Sequence, residues 1–292
     1  MFQGSFVAIV TPFKNGKVDE EKLRELVEFH IKNGTNGIVP CGTTGESPTL
    51  SYDEHKKVIK IVVEQTRKRI LVIAGTGSNS TEEALELTMD AKESGADAAL
   101  IVSPYYNKPT QKGLYLHFKE IAQKTKIPIM VYNIPSRTGV NVEPSTLAQL
   151  AKDCPNIVGV KESTGNMDQV SATVNLCGKN FCVLSGDDSL TIPIMSIGGK
   201  GVISVIANIV PKDVSDMVAS YLKGDIEKAQ ALHYKMFAFI KALFLETNPI
   251  PVKTAMKLLG MDTGELRLPL SQMSDENIEK LKTAMRNYGI FK

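Results

Sequence analysis

The chain has 292 residues, 42% hydrophobic and 23% charged, with 34 lysines and arginines against 32 aspartates and glutamates and a formal charge of +2. Such a composition suits a globular protein with a large core, and charge so small and so evenly mixed excludes the strong field that holds nucleic acid or an anionic membrane. Small metabolites are the expected ligands. The opening residues Met1-Phe2-Gln3-Gly4-Ser5 run into a strand-like segment with no basic n-region or cleavage site, and no apolar run nears the ~20 residues of a membrane span, so the expected location is the cytoplasm.

In chain order, eight short runs rich in Val and Ile read as strands: Phe6 to Val10, Gly37 to Cys41, Ile70 to Ala74, Ala98 to Val102, Ile127 to Tyr132, Ile157 to Lys161, Phe181 to Ser185 and Gly201 to Ala207. Most lack period-two alternation, as parallel strands buried on both faces do. Between them, Asp19 to Asn33, Asp53 to Arg67, Thr81 to Ser94 and Lys112 to Lys124 carry helical spacing. Ser51 with Glu54, and Ser80 with Glu83, match the capping-box pattern, and Gly34 and Gly95 stand where helices should stop. Eight strand-then-helix repeats without a hairpin signal predict a (β/α)8 barrel over residues 1–222, with an open doubly wound sheet as the alternative. Residues 223–292 are expected to form a helical extension packed on the barrel, with helices near Ile226 to Leu245, Val252 to Leu259 and Asp275 to Tyr288.

In a barrel the reacting groups stand at the C-terminal ends of the strands, which makes the residues just beyond each run the candidates. Run two opens into Gly42-Thr43-Thr44-Gly45-Glu46-Ser47, where glycines allow close backbone approach and two hydroxyls suit a small carboxylate. No lysine follows in the phosphate-loop pattern, so a nucleotide is a poor fit. Run four ends in Tyr105 and Tyr106 within a proline-bounded turn, where they either pack locally or reach across an interface. Run five ends in Tyr132-Asn133-Ile134-Pro135-Ser136-Arg137-Thr138-Gly139. Tyr132 can relay protons at the barrel mouth or be an ordinary strand-end aromatic; Arg137 can clamp a carboxylate bidentately or be a solvated loop residue.

Run six reads Ile157-Val158-Gly159-Val160-Lys161-Glu162, a lysine behind small and apolar residues. A confined apolar mouth favours the neutral amine, which attacks a ketone to form an iminium and makes the adjacent carbon acidic. The alternative is a lysine that reaches solvent or pairs with Glu162. Run seven ends in Ser185-Gly186-Asp187-Asp188, whose aspartates read as helix caps. Cys41, Cys154, Cys177 and Cys182 lack C-x-x-C spacing, and His30, His55, His117 and His233 lack i, i+4 spacing, so neither a disulfide framework nor a metal site is expected.

Taken together, Gly42 to Glu46, Tyr132 to Gly139, Gly159 to Glu162 and Ser185 to Asp188 resemble the dihydrodipicolinate synthase and N-acetylneuraminate lyase superfamily, over essentially the whole chain. The resemblance implies that Lys161 is the Schiff-base residue, that Tyr132 shuttles protons, and that Thr43 and a partner subunit's Tyr106 complete a hydroxyl relay. It implies substrate binding at Thr44, Arg137, Gly186 and Ile203. The Ser136-Arg137-Thr138-Gly139 stretch points to the synthase branch, in which pyruvate condenses with L-aspartate 4-semialdehyde. No external cofactor is implied, because the imine of pyruvate with Lys161 is the electron sink. The resemblance further implies a homotetramer built from two tight dimers. L-lysine is expected as an effector, bound at Ser47, His55, Asn79, Glu83 and Tyr105, although Pro48 and Tyr52 depart from the pattern of lysine-sensitive members. Two other readings are a class I aldolase acting on a 2-keto-3-deoxy sugar acid or N-acetylneuraminate, and a non-catalytic ligand-sensing barrel.

Overall fold

The structure, a computed structural model, describes residues 2–292. Eight parallel strands, β1 (Gly4–Ala8), β2 (Gly37–Val39), β3 (Leu71–Gly75), β4 (Ala98–Val102), β5 (Ile129–Asn133), β6 (Ile157–Glu162), β7 (Cys182–Ser185) and β8 (Gly201–Ser204), pair in chain order and close through β8 with β1. The expected (β/α)8 barrel is therefore present, and the open sheet is not. Each strand is followed by a helix of the outer ring: α1 (Glu20–Lys32), α2 (Tyr52–Thr66), α3 (Thr81–Glu93), α4 (Gln111–Thr125), α5 (Pro144–Asp153), α6 (Met167–Cys177), α7 (Thr191–Ser196) and α8 (Pro211–Leu222). Three more helices, α9 (Ile226–Ala242), α10 (Ile250–Leu258) and α11 (Asp275–Tyr288), pack on this ring.

Side chains sort by strand alternation. Phe6, Ala8, Met130, Tyr132, Leu184 and Ile203 fill the barrel interior, while Val7, Val131, Val160 and Val183 turn outward against helices. Asn208 seals the β8 to β1 seam: its Oδ1 accepts the Val10 N–H at 3.1 Å and its Nδ2 donates to the Ala8 carbonyl at 2.8 Å.

Several local expectations are corrected. Run two stops being a strand at Val39 because Cys41 takes left-handed backbone (φ 55°) and turns the chain. Run eight ends at Ser204, after which Val205 is helical and Ile206–Asn208 form a 3-10 turn. Ser51 and Glu54 form a reciprocal capping box, but Ser80 and Glu83 form only half of one. Glu83 turns its carboxylate to the Ser78 hydroxyl, 2.6 Å away, instead of back to the cap. Asp188 does not cap its own helix; its Oδ2 accepts the N–H groups of Val205 and Ile206 at 2.9 and 3.1 Å, tying the end of β7 to the end of β8. Asp187 likewise makes no side-chain cap.

Candidate active site

Lys161 faces Tyr132 because of an irregularity in β6. Ile129 lies opposite Ile157, but Met130 lies opposite Gly159, so Val158 is skipped in the ladder. Such a bulge re-aims the side chains beyond it. Val160 then points outward, while Lys161 points inward and level with Tyr132 on the neighbouring strand. Lys161 is 6% exposed, and its Nζ lies over the Tyr132 ring, 4.1 Å from the centroid. Among the described residues it has no carboxylate partner, which removes the alternative of a pair with Glu162. Glu162 points to the other face, where its Oε1 accepts the Thr164 N–H at 3.0 Å and burial pushes its carboxyl up.

Gly186, just past β7, completes this side of the mouth. A Cβ there would stand 1.8 Å from Ser163 Oγ and 3.0 Å from Lys161 Cε, so only glycine leaves the lysine its place. Ile203 closes the floor as a fully buried interior residue of β8. Burial pushes the carboxyls of both Asp187 and Asp188 up; Lys161 opposes the rise at Asp187, and hydrogen bonds from Ser204, Ile206 and Val205 oppose it more than Lys161 does at Asp188.

Across the mouth, the loop after β2 carries Thr43 half-buried and Thr44 buried. The Thr44 hydroxyl accepts a hydrogen bond from Asn248 Nδ2 at 3.0 Å. The Asn248 carbonyl accepts one from Arg137 Nη2 at 3.1 Å, and its Oδ1 is a buried acceptor with no partner among the described residues. Asn248 thus joins two sequence-predicted residues, yet it escaped the sequence reading. It stands with Pro249 in the break between α9 and α10.

A cavity of about 540 Å³ is lined by Thr43, Tyr132 and Arg137 together with Ser47, His55, Glu83 and Tyr105, while Lys161 and Thr44 lie outside its lining. His55 Nδ1 is buried with no partner among the described residues, and burial lowers the imidazole to about 4. Asn79 does not line this cavity; its carbonyl accepts from Asn107 Nδ2 at 2.9 Å. Tyr106 also stands apart, 90% exposed with left-handed backbone (φ 73°).

The model of the dihydrodipicolinate synthetase family matches residues 1–288. A 4-hydroxy-tetrahydrodipicolinate synthase of Thermodesulfovibrio yellowstonii is 59% identical over 292 residues, all of both chains. The crystal structure of dihydrodipicolinate synthase from Aquifex aeolicus superposes with a TM-score of 0.98 at 56% identity, covering 99% of each chain. A further crystal structure, of the Cyanidioschyzon merolae enzyme with lysine bound, superposes with a TM-score of 0.96 at 40% identity, again over 99% of each chain.

Proposed function

The chain belongs to the dihydrodipicolinate synthetase family, and from that premise we propose that it is a 4-hydroxy-tetrahydrodipicolinate synthase, condensing pyruvate with L-aspartate 4-semialdehyde on Lys161. One observation carries the reading. Lys161 is buried in the barrel mouth with an aromatic ring in place of an anionic partner among the described residues. Lys253, the other buried lysine among them, is paired at 2.7 Å with Glu46. A buried amine with no carboxylate within salt-bridge distance leaves its nitrogen open to a ketone; one locked in an ion pair does not.

The Lys161 amine adds to the pyruvate ketone, and the carbinolamine loses water to give the imine. Tyr132 moves protons in these steps, together with Thr43 and the Tyr106 of a second subunit. Thr44 and the backbone of its loop bind the pyruvate carboxylate. Loss of a methyl proton gives the enamine, whose carbon attacks the aldehyde; the aldehyde oxygen takes a proton and becomes the 4-hydroxyl. The amine of the second substrate then adds to the imine carbon, closes the ring and expels Lys161. Overall, one water leaves and the lysine returns unchanged. Arg137 holds the carboxylate of the semialdehyde, supported by Asn248, and Gly186 and Ile203 bound the adduct. The protonated imine serves as electron sink, so the chemistry calls for no further cofactor.

The exposed phenol of Tyr106 suits a role on another subunit, within a homotetramer of two tight dimers. L-lysine is proposed to bind where Ser47, His55, Glu83 and Tyr105 meet, with Asn79 nearby, and to lower activity through Tyr105 into Tyr106. Support comes from the continuous cavity, and from a relative whose structure has lysine bound. No helix among the described residues is long and apolar enough to cross a membrane, and the cytoplasm is the proposed compartment.

Borohydride added with pyruvate should leave a reduced pyruvyl group on Lys161 by peptide mapping, and a coupled assay should show turnover with L-aspartate 4-semialdehyde. An adduct on another lysine, or turnover of sugar acids alone, would refute the assignment.

A further inference from the structure

Lys253 lies in α10, outside the barrel, yet it reaches the loop of Thr43 and Thr44. Its Nζ donates to Glu46 Oε1 at 2.7 Å and to the Thr11 carbonyl at 2.9 Å, and lies 4.4 Å from the centroid of the Phe13 ring. Both partners of the pair are fully enclosed. The second oxygen of Glu46 accepts the Arg267 backbone N–H at 3.2 Å, and the Glu46 N–H donates to the Thr43 carbonyl at 3.1 Å. Thr11 grips the same loop, its hydroxyl donating to the Gly45 carbonyl at 2.7 Å. Asp262 also faces Lys253; burial pushes its carboxyl up and the lysine draws it down.

Glu46 holds left-handed backbone (φ 53°), which a residue with a side chain keeps only where its surroundings over-determine it. The surroundings here are charged. A buried ion pair stabilises a fold little compared with an apolar pair of the same volume, because each charge loses its hydration; its advantage is a single geometry. That geometry ends at the carbonyl of Thr43.

We propose that the buried Glu46–Lys253 pair is the positioning device of the carboxylate loop, fixing Thr43 and Thr44 so that the C-terminal segment governs pyruvate binding without touching it. The proposal rests on the assignment of Thr43 and Thr44 to the substrate site and adds the residues that hold them there. Both members are positioning residues.

The test compares full-length Lys253→Met, Glu46→Gln/Lys253→Met and Glu46→Asp with wild type. It reads Tm, the rate of borohydride trapping of pyruvate, and the pyruvate KM separately from kcat. Lys253→Met strands a buried carboxylate and lowers Tm. The double variant regains most of that Tm, yet keeps a pyruvate KM about 10- to 100-fold high, the scale of a ligand group misplaced by an ångström. Glu46→Asp keeps the charges and shortens the arm, so it melts near wild type with KM raised about tenfold. Wild-type KM and trapping in the double variant or in Glu46→Asp would overturn the proposal, leaving the pair structural alone. If the double variant does not fold, Glu46→Asp decides. Failure of wild type itself to trap pyruvate would instead overturn the Schiff-base reading.

Discussion

Gly186→Ala puts the packing beside Lys161 to a direct test. The added methyl would meet Ser163 Oγ at 1.8 Å, but that hydroxyl ends a short, rotatable arm and can swing away. Two contacts then remain, Lys161 Cε at 3.0 Å and Ser163 Cβ at 3.1 Å, both tighter than ordinary van der Waals separation. The lysine must therefore shift by several tenths of an ångström. Overpacking of this kind costs about 1–3 kcal/mol of stability. Misplacement of the attacking amine should slow imine formation by about 10- to 100-fold. The assay is the rate of borohydride trapping at saturating pyruvate, with Tm measured alongside. Adding Ser163→Ala should recover part of the Tm and none of the rate, because the contact with Lys161 persists. Wild-type trapping by Gly186→Ala would refute the reasoning, since the lysine would then have room that the structure does not give it.

Tyr132→Phe keeps the ring over Lys161 and removes only the hydroxyl, so Tm should hold while kcat falls by about 10²- to 10⁴-fold, the range of a lost proton-transfer group; unchanged kcat would dismiss the relay. Arg137→Ala should lower kcat/KM for L-aspartate 4-semialdehyde by about 1.5–3 kcal/mol, the worth of a charge-assisted contact. Pyruvate trapping should be kept, and equal damage to both half-reactions would mean that Arg137 shapes the site generally. Glu54 accepts from Arg267 Nη1 and Nη2 at 2.7 and 2.6 Å, and the guanidinium lowers its carboxyl from 4.5 to about 2. A depressed carboxyl stabilises the fold above its unfolded value and ceases to as pH falls through its folded value. The Tm gap between wild type and Glu54→Gln should therefore be full at neutral pH and shrink from pH 4.5 toward 2; a gap that widened on acidification would reverse the argument.

The barrel was legible because each strand is buried on both faces, which writes a continuous apolar run, and because a lysine or tyrosine at the end of such a run breaks the pattern visibly. Gly34 and Gly95 stopped helices as read, both with left-handed backbone. Ends of runs were read less well. The strand character of Gly37 to Cys41 and of Gly201 to Ala207 continues in composition after the backbone has already turned. The small hairpin of Phe13–Lys14 with Lys17–Val18 was missed, being only two residues on each side. The contacts of Asn248 and of Glu46 with Lys253 were hidden for another reason. They join positions 204 and 207 residues apart, and no local periodicity reports such a pairing.

That separation also sets an order in time. The loop of Thr43 and Thr44 leaves the ribosome long before the residues that hold it, with Lys253 following Glu46 by 207 positions and Arg267 by 221. At about 5–20 residues per second, this is a wait of roughly 10 to 40 s. Throughout it, the nascent chain carries Glu46 without its countercharge, where water must solvate it and the left-handed turn has nothing to enforce it. A product terminated before Lys253 would hold every strand of the barrel and the reactive lysine, yet lack the pair that shapes the loop opposite. Chains stopped just short of Lys253 would thus be poor catalysts, and maturation of the site would fall among the last events of synthesis.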